Sequence, residues 1–152
     1  MSGRRNDAAA AMQRLQRALD LLTTADPPEA VIRGRAQTIL EHLAKVPVAI
    51  LIANNRSRYV DANRAATVLT GYSHAELLRM SLSDLTADPR RAAASRLWRD
   101  FLKRGTMSGK YPLRRKDGTT VVARYFAAAN VLPGVHLSAL AAEATPRRRK
   151  PA

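Results

Sequence analysis

Hydrophobic positions along this 152-residue chain change period twice, and the changes divide it into three stretches. Between residues 7 and 22, Ala8, Met12, Leu15, Leu19 and Leu22 recur at alternating steps of four and three, with Arg14, Gln16, Arg17 and Asp20 between them. That spacing predicts an amphipathic helix whose stripe repeats every 3.5 residues, as in a short coiled-coil seam. Two heptads are too few to hold a dimer alone. Met12, Leu15, Leu19 and Leu22 therefore fit either a dimerisation helix or a helix docked on its own domain. A second helix follows. Asp26 is placed to cap it, Pro27 suits its first position, and Glu29 stands three residues after the cap. Ile32, Ala36, Ile39, Leu40 and Leu43 make its apolar face, with Gly34 weakening its middle slightly. Pro47 closes this helix, because the residue before a proline is pushed out of helical geometry.

From Val48 the pattern becomes that of strands. Val48 to Ile52 is β-branched and apolar, residues 53–57 form a turn, and Arg58 to Asp61 return as a second strand. Asn63 to Leu69 make a helical turn stopped by Gly71. Ser73 with Glu76 caps another, and residues 81–85 make one more. Asp88 and Pro89 start a longer helix reaching Lys103, with Ala93, Leu97, Trp98, Phe101 and Leu102 on one side and arginines opposite. Gly105 ends it. Residues 109–115, 120–130 and 135–140 then read as three antiparallel strands, joined by the Asp117-Gly118 turn and by Pro133-Gly134. Hairpins flanking a helical insertion predict an α+β fold: one five-stranded antiparallel sheet with short helices on one face, preceded by N-terminal helices.

Composition narrows the class without naming a chemistry. Apolar residues make up 46% and charged residues 25%, the balance of a globular chain. The longest apolar run, Val46 to Ala53, is too short to span a bilayer and contains Pro47. The first residues lack the apolar block of a secretory signal. The absence of cysteine excludes disulfides, thiolate metal sites and a cysteine nucleophile. A cytoplasmic protein is the expectation, with no membrane partner. Charge is the unusual feature: 26 basic against 12 acidic side chains give +14. The excess is spread thinly, except in Arg147 to Lys150 of a solvated tail over residues 144–152. Such a charge speaks first to solubility and non-specific contact with nucleic acid.

Three segments then carry a resemblance. Val60-Asp-Ala-Asn-Arg-Ala-Ala resembles the "v-x-x-N-x-A-A" segment of PAS domains. Leu69-Thr-Gly-Tyr-Ser-His-Ala-Glu-Leu-Leu is similar to the family's "lTGYsreELlG" signature, with Arg79 where the family often has glycine. Arg115-Lys-Asp-Gly-Thr resembles its "R-K-D-G" turn. The segments lie in family order and spacing over residues 44–143, after a helical segment over 1–43. Asn63, Gly71, Tyr72, Asp117 and Gly118 have structural roles at these junctions: capping a first turn, taking a left-handed conformation, filling a crowded corner and turning a hairpin.

The resemblance implies a sensory or signal-transduction module, with an inner space that holds a small molecule in some members and only side chains in others. The candidate lining is Ile50, Ile52, Leu69, Leu77, Leu85, Leu97, Trp98 and one or both of Tyr125 and Phe126. The cofactor is unknown. Cysteine-bound flavin and cysteine-tethered chromophores are excluded, and haem finds no histidine on the long helix, leaving non-covalent binding through His74 or His136 as the open case. His42, His74 and His136 are not at metal-ligand spacing, no phosphate loop is present and no carboxylates pair, so no enzyme is expected. Because the last strand lies near the chain end, the module is expected to act as a homodimer or through a partner protein in trans, feeding transcription regulation. The alternative is a basic nucleic-acid-associated regulator that contacts phosphates through arginines, although no base-reading motif is present.

Overall fold

The computed structural model describes residues 3–23 and 27–143. Helix α1 spans Gly3–Thr23 and α2 spans Glu29–His42. The expected capping box of α2 is not formed. Pro28, with ψ near 149°, stands at the cap without a side-chain bond. Its carbonyl accepts from the Val31 and Ile32 amides, and Glu29 pairs with Arg33 at 2.6 Å. A second proline in extended geometry delays the helix to Glu29 and frees that carboxylate for an i,i+4 pair. Asp26 and the side chain of Leu22 lie outside the described residues, as does the basic tail.

Strands β1 (Ala49–Ala53), β2 (Tyr59–Ala62), β3 (Thr106–Arg114), β4 (Thr120–Leu132) and β5 (Val135–Ala142) form one antiparallel sheet in the order β2-β1-β5-β4-β3. The last strand thus lies at the centre, paired with β1 through Leu51 opposite Ser138 and with β4 through Tyr125 opposite Leu140. Between β2 and β3 come α3 (Arg64–Thr70), α4 (His74–Leu77), α5 (Leu82–Leu85), a 3-10 turn at Arg90–Ala93 and α6 (Ala94–Arg104). The expected longer helix therefore begins later, after a 3-10 turn.

Local chemistry accounts for these short elements. Asn63 caps α3: its Oδ1 accepts from Ala66 N–H at 3.0 Å and Ile50 N–H at 2.9 Å, while its Nδ2 donates to the Val48 carbonyl at 2.8 Å. One amide so ties the helix start to the first strand. Gly71 ends α3 at φ 79°, where a side chain is strained. Ser73 Oγ accepts from Glu76 N–H and Glu76 accepts from Ser73 N–H, the reciprocal pair that starts α4. Asp117 Oδ1 accepts from the amide and hydroxyl of Thr119 in the β3–β4 turn.

The sheet has two apolar faces, and strand alternation feeds both. Ala49, Leu51 and Ala53 point to the short helices and pack with Leu77, Leu85, Leu113 and Leu140. Ile50 and Ile52 point the other way, into a second cluster with Val135 and with Ile32 and Ala36 of α2. Helix α2 is fastened there by Arg35, which is buried and donates to the Pro133 carbonyl in the β4–β5 turn.

Candidate functional site: an aromatic cavity between sheet and helices

A cavity of about 50 Å3 lies between the inner face of the sheet and the helices. Its sheet side comes from Leu51 and Tyr59 on β1 and β2, from Ser138 and Leu140 on β5, and from Met107, Tyr111, Leu113, Tyr125 and Ala127 on β3 and β4. Leu82 and Leu85 of α5 and Leu97, Trp98 and Phe101 of α6 complete it. Aromatic rings define its shape. Tyr111 and Tyr125 stand edge to face at 5.9 Å, and Trp98 and Phe101 are tilted at 5.4 Å.

Of the residues expected to line this space, Leu85, Leu97, Trp98 and Tyr125 do so. Ile50 and Ile52 do not, which corrects the expectation: they lie on the opposite face under α2. Every residue of β1 is buried, so no polar position marks which parity faces inward. Phe126 is likewise corrected. It is 52% exposed on the outer face, because Ala123 and Ala127 set the inward parity of β4 and place Tyr125 with them. Leu77 is buried and Leu69 half-buried in the neighbouring cluster, but neither reaches the cavity. Among the residues missed, besides Leu51, Leu82, Phe101, Ala127, Ser138 and Leu140, Tyr59, Met107, Tyr111 and Leu113 belong to β2 and β3. There the buried alternation of Tyr111 and Leu113 around Pro112 is the signal that was available.

Tyrosine hydroxyls supply most of the polar chemistry of the lining. Tyr111 shares a hydrogen bond with Thr86 Oγ1, whose hydroxyl also reaches the Leu82 carbonyl at 2.7 Å. Burial raises the pKa of Tyr111, and it raises that of Tyr59 strongly, with Tyr111 and the Asp84 carboxylate adding to the effect. Both hydroxyls stay protonated and can donate.

His136 lies on the inner face beside this space, 2% exposed. Its ring meets Trp98 edge-on at 5.3 Å and Phe101 at 6.2 Å. Nδ1 accepts from the Asn130 amide at 3.0 Å, so Nε2 carries the proton and donates to Asn55 Oδ1 at 2.8 Å. The Asn55 carbonyl in turn accepts from Trp98 Nε1 at 3.0 Å. Burial lowers the His136 pKa to about 4, so the ring is neutral at pH 7. With both nitrogens engaged it is a structural group, not an open metal ligand. His74 instead pairs with Asp61 at 2.9 Å on the surface. Among the described residues no cluster of metal-ligating side chains occurs.

The profile of the PAS domain family matches residues 47–136. The chain belongs to the PAS domain family. Solved PAS structures share its fold at low identity. One is from a Colwellia psychrerythraea protein, with 15% identity over 72% of this chain and 97% of that one and a TM-score of 0.60. A domain of a sensory box sensor histidine kinase/response regulator from Geobacter sulfurreducens has 18% identity over 69% and 92%, with a TM-score of 0.58. The quorum-sensing receptor PAS domain of Cronobacter turicensis RpfR, solved in complex with BDSF, has 13% identity over 66% and 97%, with a TM-score of 0.55. No curated protein matches the chain. In PAS terms, the cavity lies between the sheet and the helical segment, and α2 covers the opposite face. Among the described residues no helix is long and apolar enough to cross a membrane.

Proposed function

We propose that this PAS domain is a non-catalytic cytoplasmic sensor that reads a small molecule in its inner cavity and signals in trans, first through a second copy of itself. The observation that carries this reading is the double duty of β1. Leu51 lines the cavity, while Ile50 and Ile52, on either side of it, hold α2 on the reverse face. A ligand that shifts this strand acts on α2 through side chains already in contact, because packed interiors transmit strain. Upstream, α1 presents Met12, Leu15 and Leu19 at 66%, 52% and 46% exposure. That exposed stripe suits pairing with a second copy, and the neighbour solved in complex with BDSF supports cavity occupancy. The output, including transcription regulation, then belongs to the partner.

Native mass spectrometry of the full chain tests both halves, since one spectrum reports bound ligand and oligomer. A dimer is expected, and deleting residues 1–25 shifts it toward monomer in sedimentation. A dimer that survives the deletion removes α1 from the interface.

A second reading, phosphate contact, has one observation in its favour. Arg96, Arg99 and Lys103 project from the exposed side of α6, and among the described residues none of them joins an ion pair. Competition between random and selection-enriched duplexes at 150 mM salt decides it. Sequence-indifferent binding is expected from charge alone, and a hundredfold preference makes the arginines a reading surface.

A further inference from the structure

The chemistry of the cavity wall restricts what can enter it. Among the described residues no Lys, Arg, Asp, Glu or His lines the space, so an ionised ligand loses its hydration without a counter-charge and is rejected. Size is a second limit. A water-sized atom needs about 10–15 Å3 of such space, so this cavity, at about 50 Å3, takes a body of roughly three to five heavy atoms. Met107 on the wall is the side chain able to move for more.

One hydroxyl in the lining stands out by what it lacks. Tyr59 is 6% exposed and its ring faces the cavity. Its backbone amide is bonded to the Met80 carbonyl, but among the described residues its hydroxyl takes no hydrogen bond. The Tyr111 hydroxyl is already engaged with Thr86. Among the described residues no fully enclosed side-chain oxygen or nitrogen is left unpaired, so this hydroxyl opens onto the cavity space, where an acceptor brought in by a ligand can take its hydrogen bond. Ser138, across the sheet from Leu51, offers a second hydroxyl with no side-chain bond.

We propose that the cavity selects a small uncharged molecule with one oxygen acceptor, a ketone, aldehyde, ether or alcohol, on a short apolar body, and that the Tyr59 hydroxyl donates to that oxygen. The proposal rests on the cavity-sensing reading above and adds the chemical class of the ligand. Flavin and haem exceed the space, and carboxylates and amines fail on desolvation.

The test titrates the full chain with 2-butanone, butyrate and xenon, followed by amide shifts of Tyr111, Leu113, Ala127 and Ser138. The Tyr59→Phe variant, which removes one oxygen and keeps the ring, is titrated in parallel. Butanone is expected to give saturable shifts that weaken about threefold to tenfold in the variant, the worth of one neutral hydrogen bond. Xenon binding should be equal in both proteins, and butyrate at pH 7 should not bind. The unliganded variant should melt no lower than the parent, because no bond is lost. Equal butanone affinity in the two proteins, butyrate binding as tight as butanone, or a variant melting more than about 4 °C lower overturns the proposal. If xenon binds and butanone does not, the ligand class is wrong while the cavity reading stands. If neither binds, both fall.

Discussion

On the outer face of the sheet, Ile50, Ile52 and Val135 meet Ile32 and Ala36 of α2, each at most 4% exposed. On the inner face Leu51 and Leu140 border an open space of about 50 Å3 walled by tyrosines and Trp98. Both clusters draw on β1 and β5, so the difference comes from what covers each side. A single helix lays Ile32 and Ala36 on the part of the outer face formed by β1 and β5, where they are almost wholly buried, while Val122 and Phe126 of β4 stay exposed beside it. Several short helices, each stopped by its own cap, meet the inner face at separate points and leave room between them. The better-packed face is thus the one that carries α2, and the looser one is the side a ligand could enter. The proposed sensing role assigns the yielding part to the looser side and the transmitting part to the side that carries α2.

Gly134 is the sharpest place to break the outer contact. A Cβ there lies 2.9 Å from Ile32 Cδ1 and 3.1 Å from Pro27, and the residue has φ 77°. Gly134→Val should therefore cost roughly 3–4 kcal/mol, from left-handed strain and overpacking together. Urea denaturation measures it, and an unchanged midpoint means that α2 does not rest on this turn.

Truncation on each face sharpens the comparison. Ile52→Ala opens a void in the filled cluster and should cost about 3 kcal/mol. Leu97→Ala, at the half-buried cavity wall, should cost less, about 1–2 kcal/mol, and should admit larger apolar ligands. The two variants' urea midpoints decide it. The reverse order of losses contradicts the assignment of tight and loose faces.

A further effect concerns pH and the inner face alone. The unfolded chain takes a proton at His136 below pH 6.5, and the folded one only below about 4. The stability that depends on neutral His136 is thus fully present above 6.5 and is lost as pH falls through that window, by roughly 2–3 kcal/mol at the acid end. His136→Gln removes the titration and should flatten the curve of stability against pH between 6.5 and 4, even though it lowers the plateau at pH 7. A variant that keeps the parent's slope would place the acid sensitivity elsewhere.

Much of the fold was legible because its signals are local. Gly71, Ser73 with Glu76, and Asp117 with Gly118 act within four residues of themselves, as does the bond by which Asn63 caps α3, and these bonds follow from residue type and spacing. The family segments lie at these same junctions, which is why the PAS fold could be read from them. The cavity was only half legible. Leu85, Leu97 and Trp98 sit on helices with one apolar side, so their direction was clear. Tyr59 and Tyr111 sit on strands that pair with near neighbours in sequence, but the helices that face them across the cavity come from other parts of the chain. The bonded place of His136 was not legible, because its partner Asn55 is 81 residues away.

By itself, then, the sequence determined the order of elements, the caps of α3 and α4, the β3–β4 turn, the antiparallel sheet and the family. Each of these depends on interactions among near neighbours or on a period repeated over several residues. Only the tertiary structure decided which side of β1 faces the cavity, which of Tyr125 and Phe126 points inward, and that α2 covers the reverse face. A strand buried on both sides has no polar alternation to mark its inward face. Its orientation is set by what packs against it, and that is a property of the assembled core.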